Sequence, residues 1–209
     1  MRLLQAGLHF YITGLIILTL GIALTIQSAL GTSPFDALLV GLYRTFGLTI
    51  GSWEIVVGTT MLLLNALAEK NRPEFMAFLT SFLTGIGIDT WLFIIQDLVS
   101  PTTWTSQTVV LLFGLILSAL GIATYLQSHI APNPMDKSML VISELTGWNV
   151  SNARIVINVA LVVIAFSFQG PIGIGTLANA LFSGMIIAFF LPYVNDMRQK
   201  SLPQTKRVS

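Results

Sequence analysis

The chain has 209 residues, of which 54% are apolar and only 9% are charged; its mean hydropathy is +0.82 and its net charge +1. A soluble domain carries about 25% charged residues, so no water-facing surface can be assembled from this supply, and the lack of a basic face argues against a nucleic-acid partner. With no cysteine in the chain, disulfides, thiolate metal sites and cysteine nucleophiles are excluded.

No Asp, Glu, Lys or Arg occurs from Leu3 to Phe35, a run longer than the roughly 20 residues that cross a hydrocarbon core. The pattern predicts a first helix over 8–30. Arg2 ahead of an apolar run ending near Ser28-Ala29-Leu30 has the outline of a signal peptide, but the related segment 107–129 lies mid-chain, so 8–30 is expected to be a retained helix. A punctuated segment follows, T-S-P-F-D. Ser33 suits an N-cap, Pro34 the first helical position and Asp36 a carboxylate beside the positive helix terminus, while Gly47 suits a helix stop. A helix over 34–46 rises only about 20 Å and cannot span.

Further helices are expected over 52–68 and 75–97, then over 107–129, 152–168 and 174–194. Polar breaks fall at Glu69 to Glu74, Val99 to Ser106 and Gln169 to Gly173. Between the fourth and fifth of these long helices, P-N-P-M-D repeats the earlier grammar with Asn133, Pro134 and Asp136, and Gly147 takes the place of Gly47. Ile155 to Asn195 is a second uncharged run. The residues 197–209 read as a basic cytoplasmic tail, disordered from Arg198 onward.

Placing Gly21 over Gly121 aligns the two halves. Identities include Gly14/Gly114, Gln27/Gln127, Ser28/Ser128, Pro34/Pro134, Asp36/Asp136 and Gly47/Gly147, and after a one-residue slip F-L-T-G ending at Gly85 meets L-F-S-G ending at Gly184. Their shared order points to duplication. With six crossings and a cytoplasmic N-terminus, Arg2, Lys70, Arg72, Lys137, Arg154, Arg198, Lys200, Lys206 and Arg207 fall inside and only Arg44 outside, as the positive-inside rule requires. Three crossings per copy is an odd number, so the copies oppose each other. The expected fold is an all-α integral membrane protein: six transmembrane helices in one domain, 1–196, built as two inverted-topology repeats of about 7–98 and 107–195, each with a short capped half-helix.

Paired, interrupted segments in inverted halves are the sequence signature of a transporter's binding site. The candidate substrate-binding residues are therefore Ser33, Asp36, Asn133 and Asp136, with Gln27 and Gln127 nearby; half-helices seated at the membrane interface as simple capped turns are the alternative. Asp89 joins the candidates because an intramembrane carboxylate is costly unless used, although Ser81, Thr84 and Thr90 offer it structural hydrogen bonds. Asn65, Asn158 and Asn179 are expected to bond between helices, and Gly14/Gly21 and Gly114/Gly121 to permit close packing. Arg44 aligns with Glu144 and Glu54 with Arg154; the exchanged signs predict structural ion pairs Arg44–Glu54 and Glu144–Arg154. His9 and His129 stand about 120 positions apart with no acidic neighbour, so neither catalysis nor a metal is expected. No cofactor is implied. Trp53, Trp91, Trp104 and Trp148 fall near helix ends, where interfacial anchors sit.

The stretches G-T-S-P-F-D-A-L-L-V-G-L, F-G-L-T-I-G-S-W and G-I-G-T-L-A-N-A-L-F-S-G resemble the YczE/YyaS/YitT group of bacterial integral membrane proteins over most of residues 10–192. That resemblance implies a multi-pass protein of the bacterial cytoplasmic membrane with five or six helices, and supplies neither substrate nor site. The second motif departs from the first, reading A-P-N-P-M-D, and Ala188 stands where the first copy has Asp89. The expected function is a small transporter or channel for a polar or anionic solute; the alternative is a non-transporting accessory protein acting on a membrane partner. Besides the bilayer, the expected partners are that solute and a membrane protein or a second copy of the chain.

Overall fold

The computed structural model describes residues 2–128, 130 and 133–201, and among them eight helices. These are α1 (Arg2–Gln27), α2 (Pro34–Phe46), α3 (Ile50–Glu69), α4 (Phe75–Ile95), α5 (Trp104–Leu126), α6 (Pro134–Thr146), α7 (Val150–Ser167) and α8 (Ile174–Ser201). All but α2 and α6 are long and apolar enough to cross a membrane, which makes six candidate spans among the described residues. α8 runs on through Arg198 and Lys200 to Ser201, past the expected start of the tail: the uncharged run hands over to a polar stretch of good helix formers without a break. His129 and residues 202–209 lie outside the described residues.

Local chemistry sets the short helices. Ser33 caps α2, its side chain accepting from the Asp36 N–H, and Asn133 caps α6 by accepting from the Met135 N–H; each helix has proline in its first turn. Both stop at glycine, Gly47 at φ 77° and Gly147 at φ 72°, a conformation that side chains disfavour. Thr49 and Asn149 then cap α3 and α7 in the same way.

The centre of the molecule is the α1–α5 pair. A Cβ on Gly14 would collide with Tyr125 and one on Gly114 with Thr25; Gly21 lies against Ser118 and Gly121 against Leu18. Rising numbers on one helix meet falling numbers on the other, so the two are antiparallel, and each contact recurs with the helices exchanged. The remaining contacts follow the same reciprocity: α4 packs on α1 as α8 packs on α5, and α7 holds α2 as α3 holds α6.

One contact breaks the pattern. α3 and α4 pack along their length, whereas α7 and α8 do not meet in the same way. Gly51 lies on Gly85 and Gly58 on Ser81, so closely that a Cβ at either glycine would overlap its neighbour. The corresponding α7 positions carry Ser151 and Asn158, and Gly184 on α8 has only the Arg154 guanidinium near it, at 4.0 Å from the place of a Cβ. Small residues let helices close on each other in a membrane; α7 has glycine at neither place and the larger Asn158 at the second. A groove of about 430 Å³ remains between α7 and α8, walled by Ile155, Val159, Val163, Leu177 and Leu181.

Candidate functional site

The half-helices begin inside the helical stack. After α1 ends, the chain doubles back far enough for Thr32 Oγ1 to sit 2.8 Å from Thr25 Oγ1, one turn within α1. Ser28 supports that reversal, with its Oγ donating to the Thr25 carbonyl and accepting from the Leu30 N–H; Ser128 accepts equally from the Ile130 N–H. The loop before α8 is stitched to the same place by the Thr32 N–H on the Pro171 carbonyl and the Gly175 N–H on the Leu30 carbonyl. α2 then runs outward to an exposed end at Tyr43–Phe46, where Arg44 donates to the Gln169 carbonyl. On the other side α6 starts against α3, with the Asn65 side chain donating to the Pro134 carbonyl at 3.1 Å.

Both half-helix N-termini open onto one cavity of about 110 Å³. Ser33, Pro34 and Asp36 enter it from α2, Asn133 and Asp136 from α6, and Leu18, Ile22 and Ser118 from the central pair. α3 contributes Glu54, α4 contributes Thr84, α7 contributes Arg154 and Asn158, and α8 contributes Asn179 and Ser183. Three carboxylates and one guanidinium thus face a single space. Asp36 accepts from the Ser33 and Thr32 hydroxyls, and Asp136 accepts from the Tyr125 hydroxyl at 3.0 Å. Arg154 shares the cavity with Asp136.

Glu54 is the least satisfied of these groups. It is 1% exposed, and its Oε1 has no partner among the described residues; Thr84 Oγ1 and Asn158 Oδ1, which line the same cavity, are buried and unpartnered too. Buried polar atoms are nearly always satisfied in native proteins. Orphans converging on one cavity mark it as a place where a ligand or water belongs.

The candidates read from sequence divide cleanly. Ser33, Asp36, Asn133 and Asp136 line the cavity. Gln27 and Gln127 end α1 and α5 outside it, because each sits beyond the last turn that faces the half-helices. Asp89 is also elsewhere: its Oδ1 accepts from the Gly51 N–H at 2.8 Å, supplying one of the acceptors that the first turn of α3 lacks. Thr90 bonds its own helix, to the Ile86 carbonyl. Asn65 bonds between helices as expected, but Asn158 and Asn179 face the cavity.

The ion pairs Arg44–Glu54 and Glu144–Arg154 do not form. Among the described residues the ion pairs are Lys137 with Glu69 at 2.8 Å and with Glu74 at 3.5 Å; hydrogen bonding to Glu69 holds the Lys137 ammonium above the ordinary lysine range. Arg44 and Glu144 lie at exposed ends of the half-helices, whereas Glu54 and Arg154 sit on the inward faces of α3 and α7. Helical spacing held the missed signal. The buried positions Gly51, Glu54, Gly58, Leu62 and Asn65 of α3 recur every three or four residues, the period of one helix face, so the small glycines already pointed Glu54 inward.

Comparison with known proteins places residues 6–192 in the DUF6198 family, described as a family of unknown function. The chain is 43% identical to Uncharacterized protein YyaS of Bacillus subtilis (strain 168) over 185 residues, covering 88% of this chain and 92% of that protein. It is 38% identical to Uncharacterized membrane protein YczE of the same organism over 184 residues, covering 88% and 84%, and 27% identical over 177 residues to an uncharacterized protein of Haemophilus influenzae, covering 84% and 78%. No solved structure matches.

Proposed function

We propose a transport function for this chain, which belongs to the DUF6198 family and with it to the YczE/YyaS group of membrane proteins. It is a small transporter of the bacterial cytoplasmic membrane, built as an inverted repeat, that holds its solute in the cavity where α2 and α6 begin. The observation that carries this reading is the convergence of two interrupted, capped half-helices, one from each half of the chain, on a single polar cavity amid the spans. Irregular backbone at that depth is tolerated where it lines a cavity or is buried in protein, and secondary transporters place their sites there. The reciprocal α1–α5 seam supports an inverted repeat, since a two-fold axis in the membrane plane exchanges the helices of such a pair. The cavity side chains bind and orient; no catalytic step is assigned to them.

Both termini face the cytoplasm on the positive-inside count. The native chain has no cysteine, so single-cysteine variants report directly on topology. Asn71→Cys is labelled by an impermeant maleimide only from the cytoplasmic side and Thr103→Cys only from the other, and the reverse result overturns the orientation.

The transport reading is tested in proteoliposomes with a panel of labelled amines, amino acids, organic acids and sugars. Uptake of at least one class, cut tenfold or more by Asp36→Asn at equal protein incorporation, is the expected result. Asn retains the capacity to accept hydrogen bonds, so folding is preserved better than charge. No uptake of any class, with Ser183→Cys closed to maleimide from both sides, leaves the accessory role instead.

A further inference from the structure

We infer that the cavity and the α7–α8 groove together hold one amphiphilic cation, a primary alkylammonium whose head lies against Glu54 and whose chain lies between α7 and α8. This rests on the transport reading and names the substrate class of the same site.

The head group follows from what the cavity lacks. Its unsatisfied atoms are dominated by acceptors: Glu54 Oε1, with its residue 1% exposed, and Asn158 Oδ1, joined by the Thr84 hydroxyl. A primary ammonium brings three donors and no acceptor. The formal charges agree, three carboxylates against one guanidinium. A helix N-terminus attracts anions, but Asp36 and Asp136 already occupy the first turns of α2 and α6, and Arg154 shares its cavity with Asp136. An entering anion would therefore meet carboxylates wherever it met a positive group.

The chain follows from what adjoins the cavity. Pro34, Asn158 and Ala180 line both the cavity and the groove, so the polar space adjoins an apolar one. Among the groove's lining residues only Asn158 and Thr176 carry polar side chains. Val159, Val163, Leu177 and Leu181 are more than half exposed on helices that lie in the bilayer, so the opening faces lipid. An alkali ion would suit the carboxylates and leave the groove unused; an uncharged acyl chain would fill the groove and leave Glu54 unpaired.

Thermal denaturation of the purified full chain in an uncharged detergent tests both halves, since a ligand that binds only the folded state raises the melting temperature. n-Octylammonium, octanoate, octanol, octyltrimethylammonium and ethylammonium are compared at constant ionic strength. Octylammonium is expected to give a saturable rise, with ethylammonium and octyltrimethylammonium needing at least tenfold higher concentration and octanoate and octanol giving none. Glu54→Gln should weaken octylammonium tenfold or more, and Val159→Trp, which fills the groove, should bring octylammonium to the level of ethylammonium. Equal responses to octanoate, no dependence on chain length, displacement by sodium ion alone, or an undiminished response in Glu54→Gln each overturn the proposal. If Glu54→Gln does not fold, Glu54→Asp and the head-group series on the native chain still decide. Octylammonium binding without uptake of any solute sinks the transport reading alone; uptake of an anion or sugar without ammonium binding sinks only this one.

Discussion

The α3–α4 pair and the α7–α8 pair come from equivalent stretches of the two halves and end as opposites, one a closed seam and the other an open groove. Where α3 has Gly51 and Gly58 against Gly85 and Ser81, the equivalent positions are Ser151 and Asn158 on α7 and Gly184 and Ala180 on α8, which stay apart. Asp89 ties α4 to the Gly51 N–H of α3, and Ala188 cannot do the same for α8. A few side chains of extra volume and one lost acceptor separate a wall from a doorway. The shared Gly, Pro and Asp positions make the unit, and the unshared ones decide whether its last two helices close on each other.

That comparison can be broken most forcefully at the closed seam. Gly51→Val should force α3 and α4 apart and cost about 3 kcal/mol or more, since a β-branched side chain there meets the Gly85 backbone and nothing soft can yield. The companion substitution on the open side, Gly184→Ala, should leave the melting temperature unchanged or raise it by the helix propensity gained, about 1 kcal/mol at most. Equal effects from the two would erase the distinction. Next in size is Asp89→Ala, which leaves the Gly51 N–H without its carboxylate and should cost about 1.5–3 kcal/mol in the same melting assay; a negligible change would show that the seam is held by packing alone.

A smaller effect is expected at the first turn of α6. Lys137 pairs with Glu69 and Glu74 where the first copy has the fully buried Ala37. Lys137→Ala should cost no more than about 1 kcal/mol, as partly exposed pairs do, and the loss should shrink in high salt. Smallest is the coupling between Glu144 and Arg154. Charge reversal at both positions together should equal the sum of the single reversals within about 0.5 kcal/mol, because Arg154 faces the cavity while Glu144 is exposed; a rescue larger than that would restore the clamp that the exchanged signs suggested.

The sequence carried the fold well wherever a single residue type has a single use. Capping serine and asparagine, the first-turn prolines and the stop glycines at 47 and 147 marked both half-helices, and the uncharged runs marked the spans. It carried the site only in part. Ser33, Asp36, Asn133 and Asp136 were legible because caps have fixed offsets. Proximity in sequence pairs Glu54 and Arg154 across their turns, whereas helix face turns both inward. Gln27 and Gln127 match between the halves, but a matched polar pair need not line a cavity, and these two end their helices outside it. Asn158 stands where its equivalent is a glycine, so no repeat could announce it; the gap it opens depends on α8 having nothing to put there, which is a fact of three dimensions.

The α1–α5 seam has a consequence for inheritance. Gly21 meets Ser118 while Gly121 meets Leu18, so each helix carries both the knob and the socket of the joint. A gene of half this length would have encoded a complete joint by itself, needing only a second product inserted upside down. Fusion of two such genes frees every position from serving two places at once: after it, a glycine can be kept on one side of the molecule and given up on the other.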